Sequence, residues 1–287
     1  MPASFGQQLE RAFATYGQLC VGIDPHASLL DDWGLSDDVE GLNTFANKVL
    51  DACVETVGII KPQVSFFERH GSAGFAVLER LAQRAAETDL IVIMDAKRGD
   101  IGSTMDGYFD AWLGKAAPFM CSALTVSPYL GFDSLRDVMS NSLERGKGLF
   151  VLAATSNPEG KSLQTASVAG GSTLAADIWR RLGKVNAVTS ASGSSLGSFG
   201  AVVGATLDLR SFDLRLNDGD GQALTPILSP GFGAQGAELS DAKRLFGSSA
   251  RQVIASVSRS VLSAGSNGIS NAIQVSVQEL KDALAVA

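Results

Sequence analysis

Leu90-Ile91-Val92-Ile93-Met94-Asp95-Ala96-Lys97-Arg98-Gly99-Asp100-Ile101 joins two kinds of sequence. Its first half, Leu90 to Met94, is a short unbroken apolar run, as expected of a strand buried on both faces of a parallel sheet. Its second half gathers charges just before a glycine. Similar apolar runs recur at Leu19 to Ile23, Val57 to Ile60, Ser122 to Val126, Leu149 to Ala154, Phe199 to Val203, Pro226 to Leu228 and Gln252 to Val257. Amphipathic helical patterns lie between them, at Val39 to Val54, Ala73 to Glu87 and Leu174 to Val185. Eight strands alternating with helices predict an α/β protein, a (β/α)8 TIM barrel, as a single domain over 1–287; about 250 residues is the usual size of that fold. The competing doubly wound sheet needs a Gly-x-Gly-x-x-Gly after its first strand. Val21-Gly22-Ile23-Asp24-Pro25 stands there instead, which argues against a dinucleotide fold. Residues 157–200 exceed what a minimal barrel needs. Their Ser/Gly/Ala-rich pieces, Thr165 to Thr173 and Thr189 to Ser198, predict an extended loop region around one helix after strand five.

Composition narrows the function. The 287 residues are 45% hydrophobic and 18% charged, with 23 Lys and Arg against 30 Asp and Glu and a net charge of −7. That is ample material for a core. An acidic chain is a poor partner for nucleic acid or an anionic membrane, so a small anionic ligand needs a local basic pocket. Cys20, Cys53 and Cys121 are far apart and read as buried free thiols of a reducing compartment. Only His26 and His70 are available to a histidine-based metal centre. Met1 to Leu9 has neither a basic start nor an apolar run, and no segment reaches the roughly 18 apolar residues of a membrane span. A cytoplasmic protein is expected.

In a barrel, side chains at the C-terminal ends of the strands form the active site. Asp24 ends strand one, Lys61 ends strand two, and Asp95 and Lys97 end strand three, with Asp100 just beyond. Strand alternation puts Asp95 and Lys97 on one face. Four charges of alternating sign thus converge at one mouth. Buried ion networks contribute little net stability, so a site explains them better than a structural role. Ser103 and Asp106 have the spacing of a capping box, leaving Thr104 free to face a ligand. Strand seven runs into Ser229-Pro230-Gly231-Phe232-Gly233-Ala234-Gln235-Gly236, a mobile glycine-rich loop able to bring backbone N–H groups to an anion. Strand eight ends in Ser258-Arg259. Barrels commonly bind phosphate after strands seven and eight, and a guanidinium suits phosphate oxygens.

Asp95-x-Lys97-x-x-Asp100-Ile101-x-x-Thr104 resembles the signature of the orotidine 5′-phosphate decarboxylase family. Val21-Gly22-Ile23-Asp24, Ile60-Lys61-Pro62, the Ser-Pro-Gly to Gln235-Gly236 loop and Ser258-Arg259 follow in that family's order, from about residue 19 to 260. Lys61-Pro62-Gln63, Phe66-Phe67-Glu68 and the long segment after strand five resemble its longer bacterial branch. The resemblance implies a homodimer that converts orotidine 5′-monophosphate to uridine 5′-monophosphate and carbon dioxide, the last step of de novo uridylate synthesis, with no metal and no organic cofactor. It implies that Lys97 protonates C6, that Asp95 lies beside the substrate carboxylate, and that Lys61 links the carboxylates to the ribose. It implies that Asp100 reaches into the partner's site with Ile101 and Thr104, and that Asp24 binds the ribose hydroxyls. Ser156 is then the pyrimidine contact, Gln235 and Arg259 contact the phosphate, and Pro230, Gly233 and Ser258 also bind substrate.

The remaining polar candidates have plainer readings. His26 reads as a turn residue and His70 as loop surface; Trp33, Trp112 and Trp179 read as packing residues, and Glu68 reads as an ordinary polar residue, with a place near the predicted mouth as its alternative. Rival functions are a metal-dependent sugar-phosphate decarboxylase or hexulose-phosphate synthase of the same barrel type, a Schiff-base aldolase using Lys97 or Lys61, and a non-catalytic phosphate-binding barrel. The aldolase would need a lysine of lowered pKa, which neighbouring aspartates oppose.

Overall fold

The computed structural model describes residues 2–216 and 223–285. Eight parallel strands close a barrel in chain order: β1 Leu19–Ile23, β2 Ile59–Pro62, β3 Ile91–Arg98, β4 Ala123–Val126, β5 Gly148–Ala154, β6 Phe199–Val203, β7 Ile227–Pro230 and β8 Val253–Val257. The expected barrel is therefore the fold. The strands depart from the apolar runs where polar residues also face inward: β2 continues through Lys61 and β3 through Arg98.

Apolar residues pack on both sides of the strand wall. One cluster lies between strands and helices, and includes Val21, Ile60, Val92, Met94 and Leu124. The other fills the barrel, with Cys20, Ile59, Ile91, Ile93, Ala123, Phe150, Val202, Leu228 and Ile254. The outer helices form where the amphipathic pattern predicts, at Val39–Cys53, Gly71–Ala86 and Leu174–Thr189. Helix Leu174–Thr189 packs on β5 and β6, so it is the barrel's own crossover between those strands. Among the described residues, no helix is long and apolar enough to cross a membrane. The three cysteines are buried and free.

A further helix, Phe5–Tyr16, plugs the N-terminal end. Its first turn is secured by a capping box between Ser4 and Gln7. Phe5, Leu9 and Ala12 join the interior cluster, and Phe5 meets Phe150 edge-on with ring centroids 5.9 Å apart. From the same helix, Glu10 Oε1 accepts hydrogen bonds from the Ser195 hydroxyl at 2.7 Å and the Leu196 N–H at 2.8 Å. This pins the Ser-rich piece before β6 beneath the barrel.

Gly6 makes this plug possible: a Cβ there would overlap the Leu196 carbonyl. Helix propensity alone favours Ala at this position. We expect Gly6→Ala to destabilise instead, by about 2 kcal/mol, because backbone must move to admit the methyl. The measurement is a lower urea midpoint at unchanged slope; an equal or higher midpoint contradicts the packing described.

Candidate active site

Strand alternation builds the site upward from the interior. Inward positions on β3 run Ile91, Ile93 and then Asp95; on β2, Ile59 and then Lys61; on β4, Ala123 and then Thr125. On β1, Cys20 and Gly22 lead to Asp24 just beyond the strand. An apolar interior thus gives way to a ring of polar groups at the C-terminal mouth.

Asp95 is the centre of that ring. Its Oδ2 accepts a hydrogen bond from Lys61 Nζ at 2.9 Å, and its Oδ1 accepts one from Lys97 Nζ at 2.6 Å and another from the Thr125 hydroxyl at 3.0 Å. Lys61 and Asp95 are buried, whereas nearly half of the Lys97 side chain remains exposed at the mouth. Burial by itself would push the Asp95 carboxyl up, but Lys61 and then Lys97 hold it well below the usual carboxylate range. Burial would likewise push Lys61 down; Asp95 and then Asp24 reverse that and hold its ammonium above the usual lysine range. Beneath them, burial pushes the Cys20 thiol up to about 12, despite the opposing effect of Lys61, and keeps it neutral.

Lys97 reaches this position through an irregular backbone. Met94 pairs with Leu124 and Arg98 with Val126, so Asp95, Ala96 and Lys97 stand opposite Thr125 alone. Lys97 has φ +50°, a left-handed conformation uncommon outside glycine. Asp95 and Lys97 do share a face, but a bulge delivers this, in place of simple alternation.

The other expected residues gather around the same mouth. Asp24 Oδ1 and Ser258 Oγ are buried without a hydrogen-bond partner among the described residues. They are neighbours: a Cβ on Gly22 would lie 3.0 Å from Ser258 Cβ and 3.3 Å from Asp24 Oδ1. The Ser156 hydroxyl donates to Gln235 Oε1 at 3.3 Å, joining the loops after β5 and β7. In the β7 loop, Gly231, Gly233 and Gly236 all have positive φ, and the Gly233 N–H donates to the Ala237 carbonyl at 2.7 Å. A Cβ on Gly233 would come within 2.5 Å of Ser260 Oγ, so this glycine lets the β7 loop touch the residues beside Arg259. Pro230 ends β7 opposite Ser256. Arg259 is exposed and forms no ion pair among the described residues. Asp100 differs from Asp95: its Oδ1 accepts only the Ile101 N–H, at 2.8 Å, and no cation of its own chain pairs with it among the described residues. Ile101, 60% exposed, and Thr104, also exposed, lie beside it.

Two sequence readings need correction. Ser103 and Asp106 form no capping box: the helix Gly102–Trp112 starts earlier, with Ile101 at the N-cap and no side-chain cap bond. His70 is not loop surface. It precedes the helix Gly71–Ala86, its side chain is mostly buried, and its Nε2 lies 3.9 Å from Asp37 Oδ1. The plainer readings of other residues agree with the structure. The Trp33 indole N–H donates to the Leu262 carbonyl at 2.8 Å, and Trp112 stacks on Phe119. Glu68 pairs with Arg98 at 3.0 Å, at the end of β3. Thr125 escaped the sequence reading, since a threonine inside Leu-Thr-Val looks like an ordinary strand residue.

The profile of the orotidine 5′-phosphate decarboxylase / HUMPS family matches residues 17–272. The chain belongs to that family. An orotidine 5′-phosphate decarboxylase of Streptomyces coelicolor is 52% identical over 262 residues, 91% of this chain and 90% of that protein. One from a Nocardioides species is 50% identical over 261 residues, 90% of this chain and 91% of that protein. The crystal structure of a candidate orotidine 5′-phosphate decarboxylase from Streptomyces avermitilis superposes with a TM-score of 0.91 at 49% identity, covering 99% of this chain and 97% of that one. The family match spans every position from Asp24 to Arg259 described above.

The Asp95 pairings set a pH dependence. A depressed carboxyl pKa contributes stability that is present above the unfolded value of about 3.9 and is lost as pH falls through the folded value. The raised Lys61 pKa contributes stability that is present below about 10.4 and is lost as pH rises through its folded value. We therefore expect Asp95→Asn to cost about 3 kcal/mol, because two ammonium groups lose their counter-charge. Urea titrations of both proteins should show this deficit unchanged between about pH 5 and 9, and narrowing below about pH 4. A pH-independent deficit throughout would contradict the ion-pair account.

Proposed function

We propose that this chain decarboxylates orotidine 5′-monophosphate to uridine 5′-monophosphate and carbon dioxide. The observation that carries the reading is the Asp95 carboxylate held between two ammonium groups, one buried and one at the mouth. When the C6–carboxylate bond breaks, its electron pair stays in the ring plane at C6, where no carbonyl can delocalise it. The protein must then stabilise charge by fixed electrostatics. Lys97 Nζ supplies a positive charge at C6 and then the proton that completes uridylate. Asp95 holds that ammonium in place and stands beside the departing carboxylate, so repulsion is relieved as neutral carbon dioxide leaves. Lys61 keeps Asp95 ionised and reaches from it toward Asp24, whose unpartnered oxygen suits the ribose hydroxyls. Ser156, bonded to Gln235, offers a contact between pyrimidine and phosphate loop. Arg259, Ser258, Pro230, Gly233 and Gln235 surround the phosphate; binding energy at this remote group can lower the barrier at C6.

The hexulose-phosphate synthase alternative places a divalent cation among these carboxylates. Both Asp95 oxygens already hold ammonium groups, so a cation there would face two like charges. A Schiff base on Lys61 is opposed by its raised pKa. We further propose a cytoplasmic homodimer in which Asp100, Ile101 and Thr104 complete the partner's site. The exposure of Ile101 and Thr104, and the absence of a cation partner for Asp100 among the described residues of its own chain, support this. No nucleic acid, membrane, metal or organic cofactor enters the reading.

Incubating the pure protein with orotidine 5′-monophosphate and a chelator should lower absorbance on the long-wavelength side of the substrate's ultraviolet band, where loss of the C6 carboxylate leaves the uracil ring absorbing less; no change, or a rate seen only when the chelator is left out, overturns the proposal. Lys97→Ala should eliminate turnover yet still bind uridine 5′-monophosphate, and substantial residual activity removes Lys97 from its role. Arg259→Ala should lose roughly a hundredfold or more in kcat/KM, about 3 kcal/mol of charge-assisted hydrogen bonding, with the fold intact; near-normal turnover would refute the phosphate assignment. For the shared site, equal amounts of Lys97→Ala and Asp100→Ala subunits, dissociated and reassembled, should recover about a quarter of wild-type activity. Half of the dimers would be mixed, each with one intact site of two. Recovery of none places Asp100 outside a shared site.

A further inference from the structure

We infer that Thr125 is a positioning residue for Lys97; this rests on the decarboxylase reading. Thr125 is 1% exposed and stands alone on β4 opposite the three-residue bulge of β3. Its hydroxyl makes two bonds, both to that bulge. Oγ1 accepts the Lys97 backbone N–H at 2.9 Å and donates to Asp95 Oδ1 at 3.0 Å. The same Asp95 oxygen accepts Lys97 Nζ at 2.6 Å. One hydroxyl therefore lies between the backbone and the ammonium of a single lysine, closing a ring through the Asp95 carboxylate.

The bulge explains why a hydroxyl is needed. In a regular parallel ladder the Lys97 N–H would meet a carbonyl of β4. The extra residues carry it off register, and φ +50° turns it toward the strand's side chains. A buried N–H without an acceptor is costly, and a lysine in the left-handed region persists only where its surroundings over-determine it. Thr125 supplies the acceptor. Its branched Cβ limits χ1, so the hydroxyl is fixed where both bonds form. Deleting it releases the Lys97 backbone, and the ammonium loses its fixed place relative to C6. A displacement of about 1 Å in such a group can cost a hundredfold in rate.

The test compares Thr125→Val, which keeps the shape and removes the hydroxyl, with Thr125→Ser, which keeps the hydroxyl. Thr125→Ala makes the same deletion at smaller volume and replaces the valine variant if that does not fold. In the hydroxyl-less variant kcat should fall roughly ten- to a hundredfold while KM and uridine 5′-monophosphate binding change by no more than about threefold. Thr125→Ser should restore kcat to within about threefold of wild type. Unchanged kcat in a folded hydroxyl-less variant overturns the inference, as does an equal loss in the serine variant. A crystal structure of the hydroxyl-less variant provides a readout independent of turnover: Lys97 should leave its positive φ, and retention of that φ together with the 2.6 Å contact to Asp95 overturns the inference. If wild-type protein fails to decarboxylate, the function proposal falls alone, and the Lys97 backbone still decides whether Thr125 positions it.

Discussion

A carboxylate shared by two ammonium groups sets the terms for everything else at the barrel mouth. Burial works against the ionised form of Asp95, and Lys61 and Lys97 reverse that; burial works against the charge of Lys61, and Asp95 and Asp24 reverse that. Desolvation opposes each of these charges, and their mutual attraction offsets it only while the geometry holds. Such a group is a poor way to stabilise a protein and a good way to fix an electric field. Around the buried Asp95 and Lys61 that field acts at a lower effective dielectric than in water, and fixed charges need not reorganise as the reaction proceeds.

The barrel provides this through the two-residue repeat of its strands. Ile59 then Lys61, Ile93 then Asp95, and Ala123 then Thr125 each climb one step from apolar interior to polar mouth. Neighbouring strands make the change at the same height, so the polar groups form a ring over a dry floor. The N-terminal helix seals the far end with Phe5 against Phe150, and the floor is closed to water from below. Stability and chemistry thus occupy opposite ends of one interior, as is usual for this fold.

The sequence made the strands legible because both of their faces are buried, which leaves short apolar runs with little ambiguity. It made Asp24, Lys61, Asp95 and Lys97 legible because charges at strand ends are expensive and stand out. Alternation was an incomplete guide to Lys97, whose backbone departs from the ladder at a bulge that no local pattern announces. Thr125 was hidden for a related reason: its role comes from standing opposite that bulge, 28 residues away in sequence. Ser103 and Asp106 misled because a cap motif is defined only relative to where a helix begins, and Gly102 begins it earlier, with φ +52°. The meeting of Ser156 with Gln235 is likewise tertiary, joining residues 79 apart. His70 looked superficial beside Arg69 and Gly71, yet the turn folds its ring inward.

Asp100 brings out a consequence of the charge arrangement. Within one chain, Asp24, Lys61, Asp95 and Lys97 balance two negative charges against two positive. Each Asp95 oxygen is already committed to an ammonium, so a second carboxylate on the same strand end would crowd Asp95 if it turned inward. The glycine at position 99 is pressed so close to the Ser127 carbonyl that no side chain fits. Asp100 forms no ion pair with a lysine of its own chain among the described residues, and the exposed apolar Ile101 stands beside it. On the proposed reading, a second subunit receives that carboxylate and covers that isoleucine together. Assembly then joins two effects: burial of apolar surface drives association, and the arriving charge completes a site that one barrel alone leaves a carboxylate short.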